Sequence, residues 1–547
     1  MVLLALCGLA FFFRLGDSAI ADLDEAFYAE AGREMIESGD WITPHYNDDV
    51  RLNKPILFYW LIALSYTVLG VGETAARMFS ACSGLGLVFI AYGVARRWIG
   101  PSAGLLAGGM AATCLGMGWM ARQSLPDLPL SFFVTLGTWS AIEALTPGVA
   151  HARRWLLLTA VALALGVLTK GPIALAVPAV VLVPLVWWEH RTARRENRPH
   201  IRPIGAADVL AASALILTIA APWYLLAEHA NPGTSARFIL VENLARFATP
   251  RFNEPRGLVY YAPILMAALA PWSPFMLLWV APAWRLVRTR RSLSRVEARL
   301  ICWAGAPLVL LSLSIGKQPR YILPCLVPII LALARSTCLR AFDRSSARSP
   351  MFVVAGMAAG LMMIQVGVGV WQGRHVLATI DAGWSVTPVV CILIAGGLVV
   401  LTAVLAWRWL PAVMVVASAI TWLAFHDAVR LLGRPEPVEL VASVVRADPP
   451  DILCACGVFH RNLAFYSQRR IISASTLDRI QTVLDSPTLV YAVVDSVMLD
   501  AIESMARRRY TRVLEVPYLS ASSIGFGPLL GPRLPREVQR VILVRNR

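Results

Sequence analysis

The sequence contains few charged residues for its length. Only 15% of its 547 residues are Asp, Glu, Lys or Arg, whereas 57% are hydrophobic and the mean hydropathy is +0.62. Soluble domains average about 25% charged residues, and disordered chains are depleted in apolar ones. The composition therefore excludes an ordinary soluble enzyme and a disordered chain, and it predicts a polytopic membrane protein.

Lysine is almost absent, although the chain is basic. Lysine and arginine number 50 against 34 acidic residues, but only Lys54, Lys170 and Lys317 are lysines. In a membrane protein an excess of arginine marks cytoplasmic loops, so no nucleic-acid partner is expected. Zinc-type cysteine spacing is also missing, and Cys454 and Cys456 stand too close along a predicted strand for an unstrained disulfide.

Apolar runs long enough to cross a bilayer recur up to residue 426. They cover residues 75–95, 102–121, 128–145, 155–169, 171–188, 207–227, 258–284, 299–315, 321–338, 351–371, 385–406 and 409–426. Residues 2–13 are interpreted as a truncated first span, with a signal peptide as the alternative.

The distribution of arginine predicts the topology. Arginine-rich loops follow residues 95, 145, 188, 284 and 338. These loops all lie on the same side of the membrane only if the aromatic-rich stretch 56–70 does not cross the bilayer and lies at the membrane–water interface. The result is about 13 transmembrane helices in residues 1–433, with a cytoplasmic N-terminus. The long polar loops 14–74 and 228–256 then lie outside, and residues 434–547 alternate strand-like and helical runs, as expected of a soluble α/β domain.

Acidic residues stand at two places on the predicted outer side. Asp22, Asp24 and Glu25 follow the first span, and Asp127 stands between two prolines where a span begins. Clustered carboxylates can bind a cation, act as a base or solvate a loop, and Asp127 could instead cap its helix. An acid beside the bilayer is costly unless it is paired or hydrated, which favours a functional role.

The lysines lie on this same side, opposite the arginine-rich face. Lys54, Lys170 and Lys317, with Arg246 in the second large loop, suggest an anionic ligand such as a phosphate. Arg320 and Tyr321 follow Lys317 and fit the same role. The alternatives are snorkelling lysines and an interfacial tyrosine.

These residues predict an outward-facing cavity with acids on one wall and cations on the other. A lipid phosphate could lose a sugar there, because cations stabilise the charge that develops on the departing phosphate. A carboxylate across the sugar could take a proton from an acceptor hydroxyl. If the acceptor were itself a phosphate, no strong base would be needed.

A set of motifs resembles one family. In chain order they are DEAFYAEAGREMIESGDWITPHYN, NKPILFYW, GETAARMFSA, LPDLPLSFF, LTKGPIAL, APWYL and KQPRYILP. Together they are similar to the bacterial lipid-linked-sugar glycosyltransferases of the GT-C fold, most of all the transferases that add 4-amino-4-deoxy-L-arabinose to lipid A. That group is related to protein mannosyltransferases.

The resemblance implies roles for particular residues. Asp24, with Glu25 beside it, and Asp127 match catalytic acids, and Lys54, Arg246 and Tyr321 match contacts to the donor phosphate. Lys317 stands where the family often has a lysine, and Lys170 and Arg320 are further candidate contacts. Asn53 replaces a glutamate, and Val241–Asn243 stand where the family commonly has a histidine, so a divalent metal is in doubt and no cofactor is assigned.

The expected function is that of an inverting glycosyltransferase in the bacterial inner membrane. It would move a sugar, expected to be 4-amino-4-deoxy-L-arabinose, from undecaprenyl phosphate to lipid A or a related envelope glycolipid on the periplasmic face. Another sugar with an O-antigen, core or protein acceptor is the first alternative. A transporter of lipid-linked sugars is the second, although the key charges sit at loop boundaries and not at the bilayer midplane.

Overall fold

A computed structural model describes most of the chain. The described residues are 1–196, 202, 204–250, 252–289, 292–341, 349–375, 378, 385–430, 436–506, 509–518, 525–526, 532–533 and 539–547. The predicted boundary between residues 433 and 434 lies outside them, as do parts of the arginine-rich loops.

Helices long and apolar enough to span a bilayer make up most of the described part of the chain. Ten meet this description by length and composition, or up to twelve if each of two bent pairs is one span. The ten are Glu73–Trp98, Asp127–Leu145, Ala152–Lys170, Ile173–Glu196, Ala206–Ala230, Arg295–Leu313, Pro319–Ala341, Pro350–Gln372, Thr387–Leu405 and Trp407–Ala428. This count is close to the predicted 13, and the fold class is confirmed.

Two predicted spans are broken rather than straight. Residues 102–121 form the helices Pro101–Thr113 and Leu115–Ala121, bent by 58°. Residues 258–284 form Leu258–Ala268 and Ser273–Arg285, bent by 114°. The two breaks meet, because the amide of Leu115 donates to the carbonyl of Ala270 at 2.9 Å. One break supplies the N–H donor and the other supplies the carbonyl acceptor, so the hydrogen bond pairs a backbone group from each break. Irregular backbone at membrane depth requires such pairing.

Two shorter apolar helices lie before and within the first outer loop. Val2–Phe12 and Leu57–Leu69 are too short for the ten-helix set, and at about 1.5 Å per residue the second spans about 20 Å. Its interfacial position remains a prediction. Between them the loop forms the helix Asp24–Ser38 and a hairpin of His45–Tyr46 with Asp49–Val50.

Close helix packing in the membrane region depends on glycine. A Cβ atom on Gly360 would lie 2.7 Å from the carbonyl oxygen of Gly396, and one on Gly396 would lie 2.8 Å from that of Gly360. The helices Pro350–Gln372 and Thr387–Leu405 therefore pack backbone against backbone, the arrangement that small residues permit in a bilayer.

The C-terminal region is a five-stranded mixed sheet with helices. Its strands are Ile452–Cys456, Ile472–Ala474, Val490–Asp495, Thr511–Tyr518 and Gln539–Arg545. The first pairs in parallel with both the second and the third, and Gln539–Arg545 runs antiparallel between the third and fourth. The accompanying helices are Pro437–Ala447, Leu463–Ser467, Leu477–Leu484 and Ser496–Ala506. The predicted α/β character is confirmed.

The sheet region is fastened to the first outer loop. The Asp22 carboxylate accepts the backbone amides of His460, Arg461 and Asn462 at 3.2, 2.7 and 3.2 Å. The Asn462 side chain in turn donates to the carbonyl of Ile20 at 2.9 Å. These contacts bring the C-terminal domain directly against the helix that carries Asp24.

Candidate active site

Six of the predicted site residues line one cavity. It has a volume of about 120 Å³ and lies where the ends of several helices converge. The six are Lys54, Asp127, Lys170, Arg246, Arg320 and Tyr321. Apart from the neighbours Arg320 and Tyr321, these residues are far apart in the sequence, and the fold brings them together.

Helix ends position the acid and the lysine at the centre of the cavity. Asp127 is the first residue of its helix and Lys170 the last of its own, so each charge complements the helix dipole. Their side chains form an ion pair, with Lys170 Nζ 2.6 Å from Asp127 Oδ1. No side-chain cap bond begins the Asp127 helix, so the carboxylate does not have the capping role that was the alternative.

A glycine fixes the position of Lys170. Gly171 follows it with φ of +80°, a conformation that glycine adopts without strain. A Cβ atom there would lie 2.6 Å from the ring of Phe238, another cavity residue. The chain therefore turns sharply after Lys170 and packs tightly against the helix that leads to Arg246.

A carboxylate that the sequence analysis did not assign to the site organises the far end of the cavity. Glu242 Oε2 lies 2.8 Å from the guanidinium of Arg246 and 3.5 Å from Lys54 Nζ. The Glu242 side chain is 4% exposed, so the two cations compensate its burial. The spacing of four residues to Arg246 within a helical segment was a signal that could have identified it.

Burial changes the acid–base behaviour of Lys54. Desolvation, with the nearby charges of Arg246 and Lys170, lowers the pKa of the Lys54 ammonium to about 7, although Glu242 opposes the shift. A lysine with such a pKa exchanges its proton near neutral pH. Lys54 is thus a cation whose charge a bound anion would stabilise.

Asp24 stands beside this cavity rather than inside it. It pairs with Arg320, whose Nε lies 3.4 Å from Asp127 Oδ2. Burial alone would raise the pKa of the Asp24 carboxyl, but the charges of Arg320, Arg461 and Arg51 hold it below its usual range. Arg320 therefore connects the two acids, and the lowered pKa keeps the Asp24 carboxylate negatively charged at neutral pH.

Tyr321 faces the centre of the cavity. Lys170 Nζ lies 4.8 Å from the centre of its ring, a cation–π distance, and its hydroxyl lies 3.5 Å from the amide nitrogen of Asn253. The alternative of a tyrosine that only marks the membrane interface does not explain these contacts.

The structure does not bring Glu25 into the cavity. Its carboxylate is 3% exposed and forms a bidentate pair with Arg77 at 2.8 and 3.1 Å. It also accepts the backbone amides of Ser124 and Ala21 at 2.8 and 2.9 Å. With both oxygens occupied, Glu25 holds the first outer loop against the membrane helices, and we do not assign it to catalysis.

Lys317 is also directed elsewhere. Its ammonium donates to the backbone carbonyls of Ser314 and Arg256. It therefore joins the loop after the Arg295–Leu313 helix to the end of the second outer loop. This contact gives Lys317 a supporting position behind the cavity instead of a place at the phosphate.

The residues present do not suit a divalent metal. Among the described residues no group of three or more His, Cys, Asp or Glu side chains could hold one. Glu242 is already shared by two cations, and Asn53 offers its carbonyl oxygen to Lys54 at 2.8 Å. We therefore assign no step to a metal ion.

The fold matches that of a membrane transferase. The structure superposes on ArnT from Cupriavidus metallidurans bound to undecaprenyl phosphate with a TM-score of 0.73 and 21% identity, covering 100% of this chain and 97% of that one. The apo state of the same protein gives 0.74. The chain is thus a multi-pass membrane protein with the GT-C fold of lipid-dependent glycosyltransferases.

The sequence comparisons agree with the fold. Residues 14–234 match the family model "Dolichyl-phosphate-mannose-protein mannosyltransferase", a range that contains Asp24, Lys54, Asp127 and Lys170. The chain is therefore related in sequence to transferases of lipid-linked sugars, as the motifs predicted.

Curated relatives indicate a particular group within that class. Proteins named "Undecaprenyl phosphate-alpha-4-amino-4-deoxy-L-arabinose arabinosyl transferase" are 31% identical in Erwinia tasmaniensis, 34% in Pseudomonas aeruginosa and 33% in Pseudomonas paraeruginosa. The matches cover 57%, 62% and 68% of this chain, and 54%, 59% and 66% of the relatives' own lengths. This chain thus spans less than two thirds of the relatives that it matches.

Proposed function

We propose that the protein is an inverting glycosyltransferase that uses an undecaprenyl-phosphate-linked sugar. The sugar is expected to be 4-amino-4-deoxy-L-arabinose, and the acceptor lipid A or a related envelope glycolipid. The observation that carries the proposal is the cavity in which Lys54, Lys170, Arg246 and Arg320 converge next to Asp24. The names of the relatives supply the sugar and the carrier lipid.

The charge of the cavity fits the proposed donor. Four basic and two acidic side chains line it, which gives an excess of two positive charges when Lys54 is protonated. The donor phosphodiester carries one negative charge, and the phosphate released after transfer carries up to two. The surplus of cations therefore favours the product-like charge distribution of the transition state over that of the bound substrate.

The transfer step needs no redox partner. An acceptor oxygen attacks the anomeric carbon from the face opposite the phosphate, and the bond from that carbon to the phosphate oxygen breaks. The electron pair leaves with the phosphate, which the cluster around Lys54 and Arg246 stabilises. Inversion at the anomeric carbon follows from this single displacement.

The electrostatics of Asp24 favour an acceptor that is already ionised. A general base works best when its pKa is near the operating pH, and the pKa of Asp24 is held below its usual range. Its negative charge instead suits the positive charge that develops on the sugar ring as the bond to phosphate breaks. A phosphate acceptor fits this arrangement, and a hydroxyl acceptor would need Asp24 to take its proton.

The orientation in the membrane is part of the proposal. The arginine distribution supports a cytoplasmic N-terminus, with the donor cavity and residues 434–547 on the periplasmic side of the inner membrane. Residues 1–433 would then form the membrane unit. The contacts of Asp22 with the C-terminal domain support placing both on one side.

Transfer by the purified protein tests this function. Full-length protein in lipid nanodiscs would receive undecaprenyl-phosphate-linked aminoarabinose and lipid A, and mass spectrometry would follow the products. We expect lipid A to gain the mass of one pentosamine. Gain of sugar only by another acceptor, or only from another donor, would favour the first alternative. Movement of the intact donor across vesicles without transfer would favour a transporter.

A further inference from the structure

One acid of the donor cavity occupies the place proposed for the lipid phosphate. Glu242 Oε2 lies 2.8 Å from Arg246 Nη2 and 3.5 Å from Lys54 Nζ, and these are the two cations proposed to bind the phosphate. A carboxylate and a phosphate both offer negatively charged oxygen atoms to such groups. The protein therefore holds one of its own anions where the anion of the ligand would bind.

The other acid of the cavity has different partners. Asp127 lies 2.6 Å from Lys170 Nζ and 3.4 Å from Arg320 Nε. Neither of these cations contacts Glu242. A phosphate that replaced Glu242 would thus leave the ion pairs of Asp127 in place.

The contacts of Glu242 leave hydrogen-bonding capacity on both of its cations. Lys54 Nζ donates to the carbonyl of Asn53 at 2.8 Å, and its contact with Glu242 is the longer one. Within the described part of the chain, the buried Nε of Arg246 has no hydrogen-bond partner. The phosphate of a released lipid presents three acceptor oxygens, whereas a carboxylate presents two. It can therefore replace Glu242 with a gain in hydrogen bonds.

The backbone around Glu242 is not a regular α-helix. Phe238–Ala245 forms a π-helix between the short α-helical segments Thr234–Arg237 and Arg246–Ala248. Such wide helical turns are rare and are found frequently at functional sites. Glu242 thus lies where a local rearrangement can redirect a side chain without disrupting a long α-helix.

The charge of Glu242 also determines how strongly the cavity attracts the product. With Lys54 protonated, the cavity has an excess of two positive charges, and the released phosphate carries up to two negative ones. Without the charge of Glu242 the excess would be three. Such a cavity would bind the product more tightly, and slow product release limits turnover in many enzymes.

We propose that Glu242 is a positioning residue that competes with the lipid phosphate for Lys54 and Arg246, and that this competition promotes release of undecaprenyl phosphate after transfer. Glu242 keeps the two cations close together before the phosphate binds, and it lowers the affinity for the product. This inference rests on the proposed function, since it concerns release of the same carrier lipid. The competition itself can be measured without the transfer reaction.

Binding of undecaprenyl phosphate tests the competition directly. Full-length wild type and Glu242→Gln in nanodiscs would be compared at pH 5.5, where Lys54 of the wild type is protonated. Glutamine keeps the size of the side chain and removes its charge. We expect the Kd to fall about tenfold, the scale of one like-charge repulsion at a partly buried site. Glu242→Asp keeps the charge and should bind within about threefold of wild type.

The pH dependence of binding gives a readout that a merely structural role would not change. Glu242 opposes the lowering of the Lys54 pKa, so removal of its charge should lower that pKa further. The free Lys54 would then lose its proton at a lower pH, and the lipid would have to restore it on binding. The affinity of Glu242→Gln should therefore begin to fall at a lower pH than that of wild type.

Transfer kinetics separate product release from chemistry. In Glu242→Gln the inhibition constant of undecaprenyl phosphate should fall about tenfold and the multiple-turnover rate should fall with it. The single-turnover rate should stay within about threefold of wild type, because the cations that stabilise the departing phosphate remain. A merely structural role of Glu242 would instead reduce both rates and weaken lipid binding.

Two controls show whether the effect is local. Glu254→Gln removes a carboxylate that is 75% exposed in the same outer loop, and it should leave the Kd within about twofold of wild type. In an Arg246→Gln background, adding Glu242→Gln should tighten binding by less than about threefold, because the closer of the two contested cations is gone. Unfolding midpoints of all variants would show whether the fold is retained.

The outcomes distinguish this inference from the proposed function. Equal or weaker binding of undecaprenyl phosphate by a folded Glu242→Gln would overturn the inference, and so would equal tightening by Glu254→Gln. If Glu242→Gln does not fold, a structure of wild type with bound undecaprenyl phosphate decides. We expect the Glu242 carboxylate to have left at least one of its two cations, and retention of both contacts would overturn the competition. Tighter binding by Glu242→Gln with no transfer by wild type would support the competition and refute the proposed reaction.

Discussion

Asp24→Asn should reduce kcat for sugar transfer by about 10²- to 10³-fold, the usual loss when one preorganised electrostatic group is removed from an active site. The substitution keeps the shape of the side chain and removes its charge, which faces both the donor cavity and Arg461. Affinity for undecaprenyl phosphate should remain within about threefold, because the phosphate contacts lie on the other wall. Initial rates and lipid binding on the same preparation measure both quantities.

Two comparisons make the result for Asp24 specific. Asp49→Asn removes a carboxylate that is 79% exposed in the nearby hairpin and should leave kcat unchanged. Asp24→Glu keeps the charge but displaces it, so kcat should fall to a value between those of wild type and Asp24→Asn. If Asp24→Asn retains more than a tenth of the wild-type kcat with its fold intact, Asp24 has no direct role.

Lys54→Ala should weaken binding of undecaprenyl phosphate by about 10- to 100-fold at pH 6.5, since a hydrogen bond to a charged group contributes about 1.5–3 kcal/mol. The effect should shrink as the pH rises. The pKa of the free Lys54 is about 7, so above this pH the lysine is neutral before binding and must take up a proton to contact the phosphate. Affinity of the wild type should then fall about tenfold for each pH unit.

Lys54→Arg is the matched control for this pH dependence. Arginine stays charged throughout, and the titration of the lipid phosphate affects both proteins equally. The ratio of wild-type to Lys54→Arg affinity should therefore be constant below pH 7 and fall above it. A ratio that does not change between about pH 6 and pH 9 would show that Lys54 keeps its proton in the free protein, and that its burial has no consequence for binding.

The sequence predicted the convergence of charges but not their individual contacts. Lysine is scarce, and all three lysines lie opposite the arginine-rich loops. These two facts sufficed to predict that Lys54 and Lys170 lie on the same side of the membrane as Asp127. Asp24 and Glu25 could not be distinguished, because consecutive residues of a helix point about 100° apart and only the packed structure shows which one faces the cavity. Arg77, which binds Glu25, lies in a different helix.

The remaining site residues depend on contacts that no local pattern contains. Arg461 comes from the C-terminal domain, and it approaches Asp24 because several contacts, those of Asp22 and Asn47 among them, fasten that domain to the first outer loop. Lys317 begins the KQPRYILP motif, yet its ammonium donates to the backbone carbonyls of Ser314 and Arg256. Sequence spacing therefore predicts which helix ends meet, whereas side-chain direction requires the folded structure.

The central claim is that one lipid phosphate binds among the cations of the first cavity, with Asp24 beyond its sugar. A cryo-electron microscopy structure of the full-length protein with bound undecaprenyl phosphate measures this directly. We expect the phosphate within hydrogen-bonding distance of Lys54 Nζ and the Arg246 guanidinium, on the side of the cavity away from Asp24. A phosphate held elsewhere, with Lys54 and Arg246 still paired only to Glu242, would contradict the account.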